Sequence, residues 1–293
     1  MEDEKLSLEE LRAEALEKGW AFGKGRLRDQ YRMKPKPDAK PDSYVKNPHN
    51  GSLYGIYKLT DCVEIKSRKK RTGPPSEKQV KASKLLALNS KLKSREARAG
   101  ATAQKWLDEE CLVLDTETTG LEHGDQIIEL SILDHLGNTL FDQRFRPTCK
   151  INPGAESKHM ISEDMLKNEP LFSEYVSKIR EILTSKPVVI FNSGFDIGML
   201  HSTCKAFDID HSWISEIKQH CAMELSADAY GATNRYGSIS LENAAFDAGV
   251  TWKGEAHSAL ADCHATLDIL KNLVKQRKEL EDQKKELEYK FST

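Results

Sequence analysis

The sequence predicts an α/β protein, a mixed sheet flanked by helices, with a basic N-terminal α/β extension before it and a polar C-terminal helix after it. Three observations predict this. From residue 105 the chain reads first as strands, with apolar runs at 111–114 and 127–133, and then as strand and helix in alternation, which is the order of a mixed sheet. A hydrophobic share of 38% beside 31% charged residues belongs to a globular chain with a core. Beyond Lys275 only Leu280 and Leu287 continue the spacing of seven from Leu273, so the tail is a polar helix with at most a weak coiled-coil seam.

Taken in order, Ser7-Leu8-Glu9-Glu10 reads as a capping box opening a short helix that stops at Gly19. Between Tyr31 and Pro48 the prolines at 35, 37, 41 and 48 alternate with lysines, which excludes regular helix and predicts an extended loop. Residues 53–59 and 63–65 read as two short strands around Thr60-Asp61. A charged, Pro-containing linker spans 66–75, and Ser76 begins a polar helix reaching about 109, weakened by Gly100. The buried strands at 111–114 and 127–133 are followed by a third over 140–145, a helix over 171–184 and a strand over 187–191. Helices are then expected near 195–206, 223–230, 241–248 and 258–275. The expected units are an N-terminal segment over 1–65, a basic linker and helix over 66–104, a main domain over 105–275 and a tail over 276–293.

Composition narrows the class. No apolar run approaches the ~20 residues of a membrane span and the N-terminus lacks the features of a signal peptide, so a cytoplasmic protein with no membrane partner is expected. Six scattered cysteines without a CxxC pair indicate neither disulfides nor zinc. The net charge of −2 conceals an asymmetry: residues 66–98 carry twelve Lys or Arg against Glu77 and Glu96. Such a stripe suits a polyanion such as nucleic acid, because neutralising phosphates releases counterions; it equally fits a solvated helix face. Tyr31, Tyr44, Tyr54 and Tyr57, interleaved with Lys and Arg, could stack on bases or form the core of a small β element.

Three motifs carry chemistry. Asp115-Thr116-Glu117-Thr118-Thr119-Gly120 follows an apolar strand, and because strand side chains alternate, Asp115 and Glu117 share a face. Paired carboxylates of this kind either repel or share a cation, and hard oxygen ligands suit Mg²⁺ or Mn²⁺. A second apolar strand ends in Asn192-Ser193-Gly194-Phe195-Asp196, where ligand sites of open α/β sheets collect, although Asp196 could instead cap a helix. The third is His257-Ser258-Ala259-Leu260-Ala261-Asp262. With Ser258 as N-cap, His257 lies outside the helix and can swing over the turn carrying Asp262, while Ala259 and Ala261 permit close approach to the first strand.

In this order and spacing, DTETTG, NSGFD and HSALAD resemble the three motifs of the DEDDh, or DnaQ-like, 3′→5′ exonuclease family, over about residues 105–275. Lys158-His159-Met160-Ile161, residues 163–170 and Ser240-Leu241-Glu242-Asn243 are similar to stretches of the proofreading ε-type subunit of bacterial DNA polymerase III. The resemblance implies an RNase H-like fold with a mixed five-stranded sheet, two divalent ions (Mg²⁺ or Mn²⁺) held by Asp115, Glu117, Asp196 and Asp262, and His257 as general base. It further implies release of 5′-mononucleotides from single-stranded DNA or a frayed 3′ end, and a possible polymerase partner. Thr118, Thr119, Gly120 and Leu121 would cradle the terminal nucleotide, with Leu121 against a base; His159, Asn192 and Phe195 are further substrate candidates, Phe195 serving equally well as core. Two alternatives stay open: an exoribonuclease using the same five residues, and an inert nucleic-acid-binding or polymerase-accessory module.

Overall fold

A computed structural model describes residues 7–48, 51–66, 74–251 and 257–290. The chain divides into two compact units, residues 1–74 and 75–293.

In the first unit, α1 (Leu8–Glu17) begins at the expected capping box: Ser7 Oγ accepts from Glu10 N and the Glu10 carboxylate accepts from Ser7 N. Then come β1 (Ala21–Gly23), α2 (Lys24–Asp29), β2 (Met33–Pro35), β3 (Ser43–Lys46), β4 (Leu53–Lys58) and β5 (Cys62–Glu64). The two strands expected around Thr60-Asp61 do not pair with each other. β4 lies between β1 and β3, whereas β5 pairs with β2, all antiparallel. The proline-rich stretch is extended, as expected, yet two of its segments are ladder strands, with Pro35 at the end of β2 where little pairing is lost. Tyr31 and Tyr57 join Phe22, Leu27 and Leu59 in the core, while Tyr44 and Tyr54 stay exposed, so the four tyrosines divide between the two roles open to them.

The second unit opens with α3 (Glu77–Lys91) and α4 (Arg95–Asp108), where the sequence suggests one helix. Ser94 caps α4 through Ala97 N and marks the break. Gly100 is a contact point within α4 rather than a weak one: a Cβ there would meet the Leu273 carbonyl at 2.5 Å and Arg277 Cβ at 2.9 Å. Residues 67–73 of the expected linker lie outside the described residues.

The sheet comprises β6 (Leu112–Thr118), β7 (Ile127–Leu133), β8 (Thr139–Arg144), β9 (Val188–Ile190) and β10 (Gln219–Cys221), in the order β10-β9-β6-β7-β8. β6, β9 and β10 run parallel, while β7 and β8 are antiparallel additions at the other edge. This is the mixed five-stranded sheet that the family resemblance implies. The helices are α5 (Pro153–His159), α6 (Glu163–Leu166), α7 (Val176–Ser185), α8 (Ser193–Ala206), α9 (Ala222–Tyr230), α10 (Leu241–Ala248) and α11 (Ala259–Tyr289). Strand alternation sorts the core. Leu112 and Leu114 pack with Ile179, Leu183 and Leu200 of α7 and α8, whereas Val113 packs with Cys263 and Leu267 of α11. α11 continues unbroken through the expected tail, its Leu273 buried and its Leu287 lining a groove with Ala87 and Leu88 of α3. No helix among the described residues is long and apolar enough to cross a membrane.

Candidate active site

The first motif occupies the C-terminal end of β6, the central strand, flanked by β9 and β7. Asp115 and Glu117 are part-exposed and alternate with buried Leu114, Thr116 and Thr118, the alternation that places both carboxylates on the α11 face. The β6–β7 register shifts between Glu117 and Thr118, an irregularity of the kind that ends pairing and re-aims side chains beside active sites.

The loop after β6 is tied internally. Thr119 is fully buried and its hydroxyl donates to Asp125 Oδ1 (2.7 Å) and accepts from Gln126 N (2.9 Å). Asp125 Oδ2 accepts from Glu122 N (2.7 Å). A Cβ on Gly120 would lie 2.5 Å from Asp125 Oδ2, so a side chain there would have to displace the Asp125 carboxylate from its bonds to Thr119 and Glu122. Thr118 Oγ1 donates to the Gly120 carbonyl (2.7 Å), so neither threonine hydroxyl has a free donor. Leu121, at the loop tip, is 77% exposed. The Thr119 carbonyl accepts from Asn152 N (2.7 Å), which seats α5 against this loop. α5 ends at buried His159, whose Nδ1 accepts from Ile161 N (3.0 Å) while Nε2 has no partner. Burial pushes the His159 imidazole below its ordinary pKa.

Asp196 enters from the first turn of α8. It does not cap that helix, whose N-cap is the exposed, left-handed Asn192. Asp196 is buried, and Oδ1 accepts from Thr116 Oγ1 (2.7 Å) on the opposite face of β6 from Asp115. Phe195 is half-buried against the α7–α8 core. The third motif has the expected form: Ser258 is the N-cap of α11, its Oγ accepting from Ala261 N (3.3 Å), and His257 lies outside the helix, exposed with a left-handed φ of 67°. Ala259 and Ala261 are buried and the Cys263 thiol donates to the Ser131 carbonyl (3.4 Å), so the first turns of α11 press on the sheet.

Asp262 thereby converges on Asp115 and Glu117 from more than 140 residues away, each of the three offering a carboxylate oxygen within 4.8 Å of the others. Asp196 lies outside this trio. Their electrostatics are set by burial and by one another's charge. Burial, and then the charges of Asp196, Asp262 and Glu117, raise Asp115 well above the usual carboxylate range. Burial and Asp262 push Glu117 up to about 8, and burial raises Asp196 to about 7 against the opposing Thr116 hydrogen bond. Asp262 rises to about 6, again through burial, with His257 opposing the shift. Asp262 Oδ1 is buried with no hydrogen-bond partner. An orphaned buried acceptor among mutually repelling carboxylates fits a hard divalent cation, and the all-oxygen donor set suits Mg²⁺ or Mn²⁺.

One buried acid escaped the sequence reading. Glu129 in β7 lies opposite Glu117, accepts Arg144 Nε (2.8 Å) through Oε1 and accepts Ala259 N (2.8 Å) through Oε2. A charged residue inside a fully buried seven-residue strand, apolar elsewhere except at Ser131, was the signal available.

The family described as Exonuclease (RNase_T) matches residues 112–270, more than half of the chain. An uncharacterized protein, pSLT049 of Salmonella typhimurium, is 37% identical over 131 residues, which make up 45% of this chain and 91% of the relative. The uncharacterized exonuclease CP81 of Escherichia phage 186 is 30% identical over 179 residues, 59% and 92% of the two chains. The DNA polymerase III subunit epsilon of Escherichia coli is 30% identical over 99 residues, 30% of this chain and 41% of the subunit. Among solved structures, exonuclease X in complex with 5′ overhanging duplex DNA aligns with a TM-score of 0.43 and 22% identity, over 57% of this chain and 92% of that one. With the acids of its first and third motifs meeting in one carboxylate cluster, this chain belongs to the exonuclease family and is a nuclease of the DnaQ-like, DEDDh type.

Proposed function

We propose that this chain is a metal-dependent 3′→5′ exonuclease that removes 5′-mononucleotides from DNA, at a single-stranded or frayed 3′ end. The observation that carries the reading is the convergence of Asp115, Glu117 and Asp262 around the orphaned Asp262 Oδ1.

Asp115, Glu117 and Asp262 would hold one of two divalent ions, and Asp115 with Asp196 the other. Bound there, the ions would activate a water for attack on the terminal phosphorus and stabilise the departing 3′ oxygen. Asp115 is suited to both sites because the charges of Asp196, Asp262 and Glu117 all bear on it. Asp196 Oδ1 is held by the Thr116 hydroxyl, which orients the carboxylate. His257 takes the proton of the attacking water on an imidazole nitrogen; its exposure lets it meet the substrate's edge, and imidazole is the side chain best suited to general-base work. Water's oxygen then bonds to phosphorus as the P–O3′ bond breaks, leaving a 5′-mononucleotide and a strand one residue shorter.

The engaged Thr118 and Thr119 hydroxyls favour backbone contacts from Thr118, Thr119 and Gly120 to the terminal nucleotide, with exposed Leu121 against its base. His159 and Asn192 flank the same loop and strand end, and half-buried Phe195 acts through packing. Polymerase partnership is carried by the ε-subunit similarity. The test is a side-by-side digestion of single-stranded DNA, double-stranded DNA and RNA oligonucleotides with Mg²⁺ or Mn²⁺. Faster release from single-stranded DNA is expected. A preference for RNA would make the chain an exoribonuclease, and no hydrolysis of any substrate would leave an inert binding module.

A further inference from the structure

We infer that Glu129 is a positioning residue for the metal-dependent centre: its buried carboxylate clamps the start of α11 to the sheet and so sets where Asp262 and His257 stand relative to Asp115 and Glu117. The inference rests on the reading of the site proposed above.

Glu129 is in a costly place. Its side chain is 8% exposed, in the middle of β7, opposite Glu117 on one neighbouring strand and Arg144 on the other. A buried carboxylate persists only when paired and hydrogen-bonded, and both oxygens here are engaged, one by the Arg144 guanidinium and the other by the backbone N–H of Ala259. Ala259 is the first residue of α11, and its N–H is one of the four that a helix leaves without an internal partner. Ser258 satisfies a different one, at Ala261. Glu129 therefore completes the cap from a strand 130 residues away in sequence, and its negative charge also meets the positive end of the helix dipole.

The geometric consequence follows from covalent distance. His257 lies two residues before the clamped N–H, and Asp262 lies three residues after it within the same first turns. Nothing else described fixes Ala259 N: the adjoining contacts of α11 are the alanine packing and the Cys263 thiol, one turn further on. Loss of the clamp frees the first turn to shift away from β6, and carboxylates that are to share an ion tolerate little displacement. Arg144 keeps the arrangement from adding a bare charge to a site already crowded with acids.

The test uses the full-length protein and two readouts, Mn²⁺ affinity by calorimetry without substrate, and the separate kcat and KM for a single-stranded oligonucleotide. Glu129→Ala should weaken Mn²⁺ binding about 10- to 100-fold and lower kcat with KM changed less than about twofold, the range for partners that orient ligands. Glu129→Gln alone sets an amide N–H₂ against the Arg144 guanidinium, a donor facing a donor. Combining it with Arg144→Met removes that conflict and leaves the amide oxygen free to accept from Ala259 N. The double variant should then recover Mn²⁺ affinity to within about tenfold of the parent, and it stands in for Glu129→Ala should that variant fail to fold. Parental Mn²⁺ affinity and kcat in folded Glu129→Ala, or in the double variant no recovery beyond Glu129→Gln, would overturn the clamp. Asp115→Asn serves as control: if it binds Mn²⁺ like the parent, the reading of the metal site fails, whatever Glu129 does.

Discussion

Neutralising one acid of the cluster should stabilise the metal-free protein, and the gain should grow with pH. Glu117→Gln is the cleanest perturbation, because Glu117 makes no hydrogen bond or ion pair that would be lost among those described, and the amide preserves its shape. In the fold its carboxyl is displaced from 4.5 to about 8, first by burial and then by Asp262 and Glu129. The sign follows from proton counting. Between pH 4.5 and 8 the folded state holds a proton that the unfolded state has released, so stability falls as pH rises through this window, with the full loss present above 8. At ~1.36 kcal/mol per tenfold the displacement sets a ceiling of about 5 kcal/mol. Glu117→Gln and the parent should therefore have similar stability at pH 4, and the variant should be more stable at pH 8.5 by some kcal/mol below that ceiling. Urea unfolding in a chelator at a series of pH values measures this, and taking the difference between the two proteins cancels the histidines, which titrate in both. Saturating Mn²⁺ should reverse the order at pH 8.5, because only the parent keeps all its ligands. A difference that stays flat from pH 4 to 8.5, or a destabilised variant at the upper end, would refute the description of the cluster as mutually repelling.

Three further outcomes are expected. His257→Ala should retain metal and oligonucleotide binding while kcat falls about 10²- to 10⁴-fold; an unchanged kcat would remove His257 from proton transfer. Gly100→Val should destabilise the second unit by about 2 kcal/mol or more, read by thermal unfolding, because its Cβ would enter the Leu273 carbonyl of α11. Removing residues 1–74, a cut that leaves α3 and α4 whole, should weaken binding of single-stranded DNA and flatten its salt dependence while leaving turnover of short oligonucleotides; an equal salt slope would take the first unit out of substrate binding.

Much of this was legible in the sequence because the site is built on strongly patterned elements. The apolar run at 127–133 coincides with β7, and the apolar start of β6 points to the Asp115 and Glu117 pair at its end. Ser258 as N-cap, with His257 outside the helix, was the arrangement the sequence offered for bringing His257 over Asp262, and the structure adopts it. What escaped was of other kinds. β10 is three residues, Gln219-His220-Cys221, at a sheet edge where no apolar periodicity is required. α5 is short and begins at Asn152-Pro153, which resembles a turn as much as a helix. Gly100 looked like a helix weakness because its partner, α11, is 173 residues away at Leu273. Glu129 was hidden for the same reason: its role depends on Arg144 and Ala259, and local pattern does not report long-range pairing.

The most direct test of the central claim is the rate at which 3′-terminal mononucleotides leave a 5′-labelled single-stranded oligonucleotide in Mn²⁺, measured for the parent and for Asp115→Asn of verified fold. The account predicts a ladder shortening from the 3′ end in the parent and a loss of at least about 10³-fold in the variant, since Asp115 would help to hold both ions. Comparable rates in the two proteins, or shortening from the 5′ end, would contradict it.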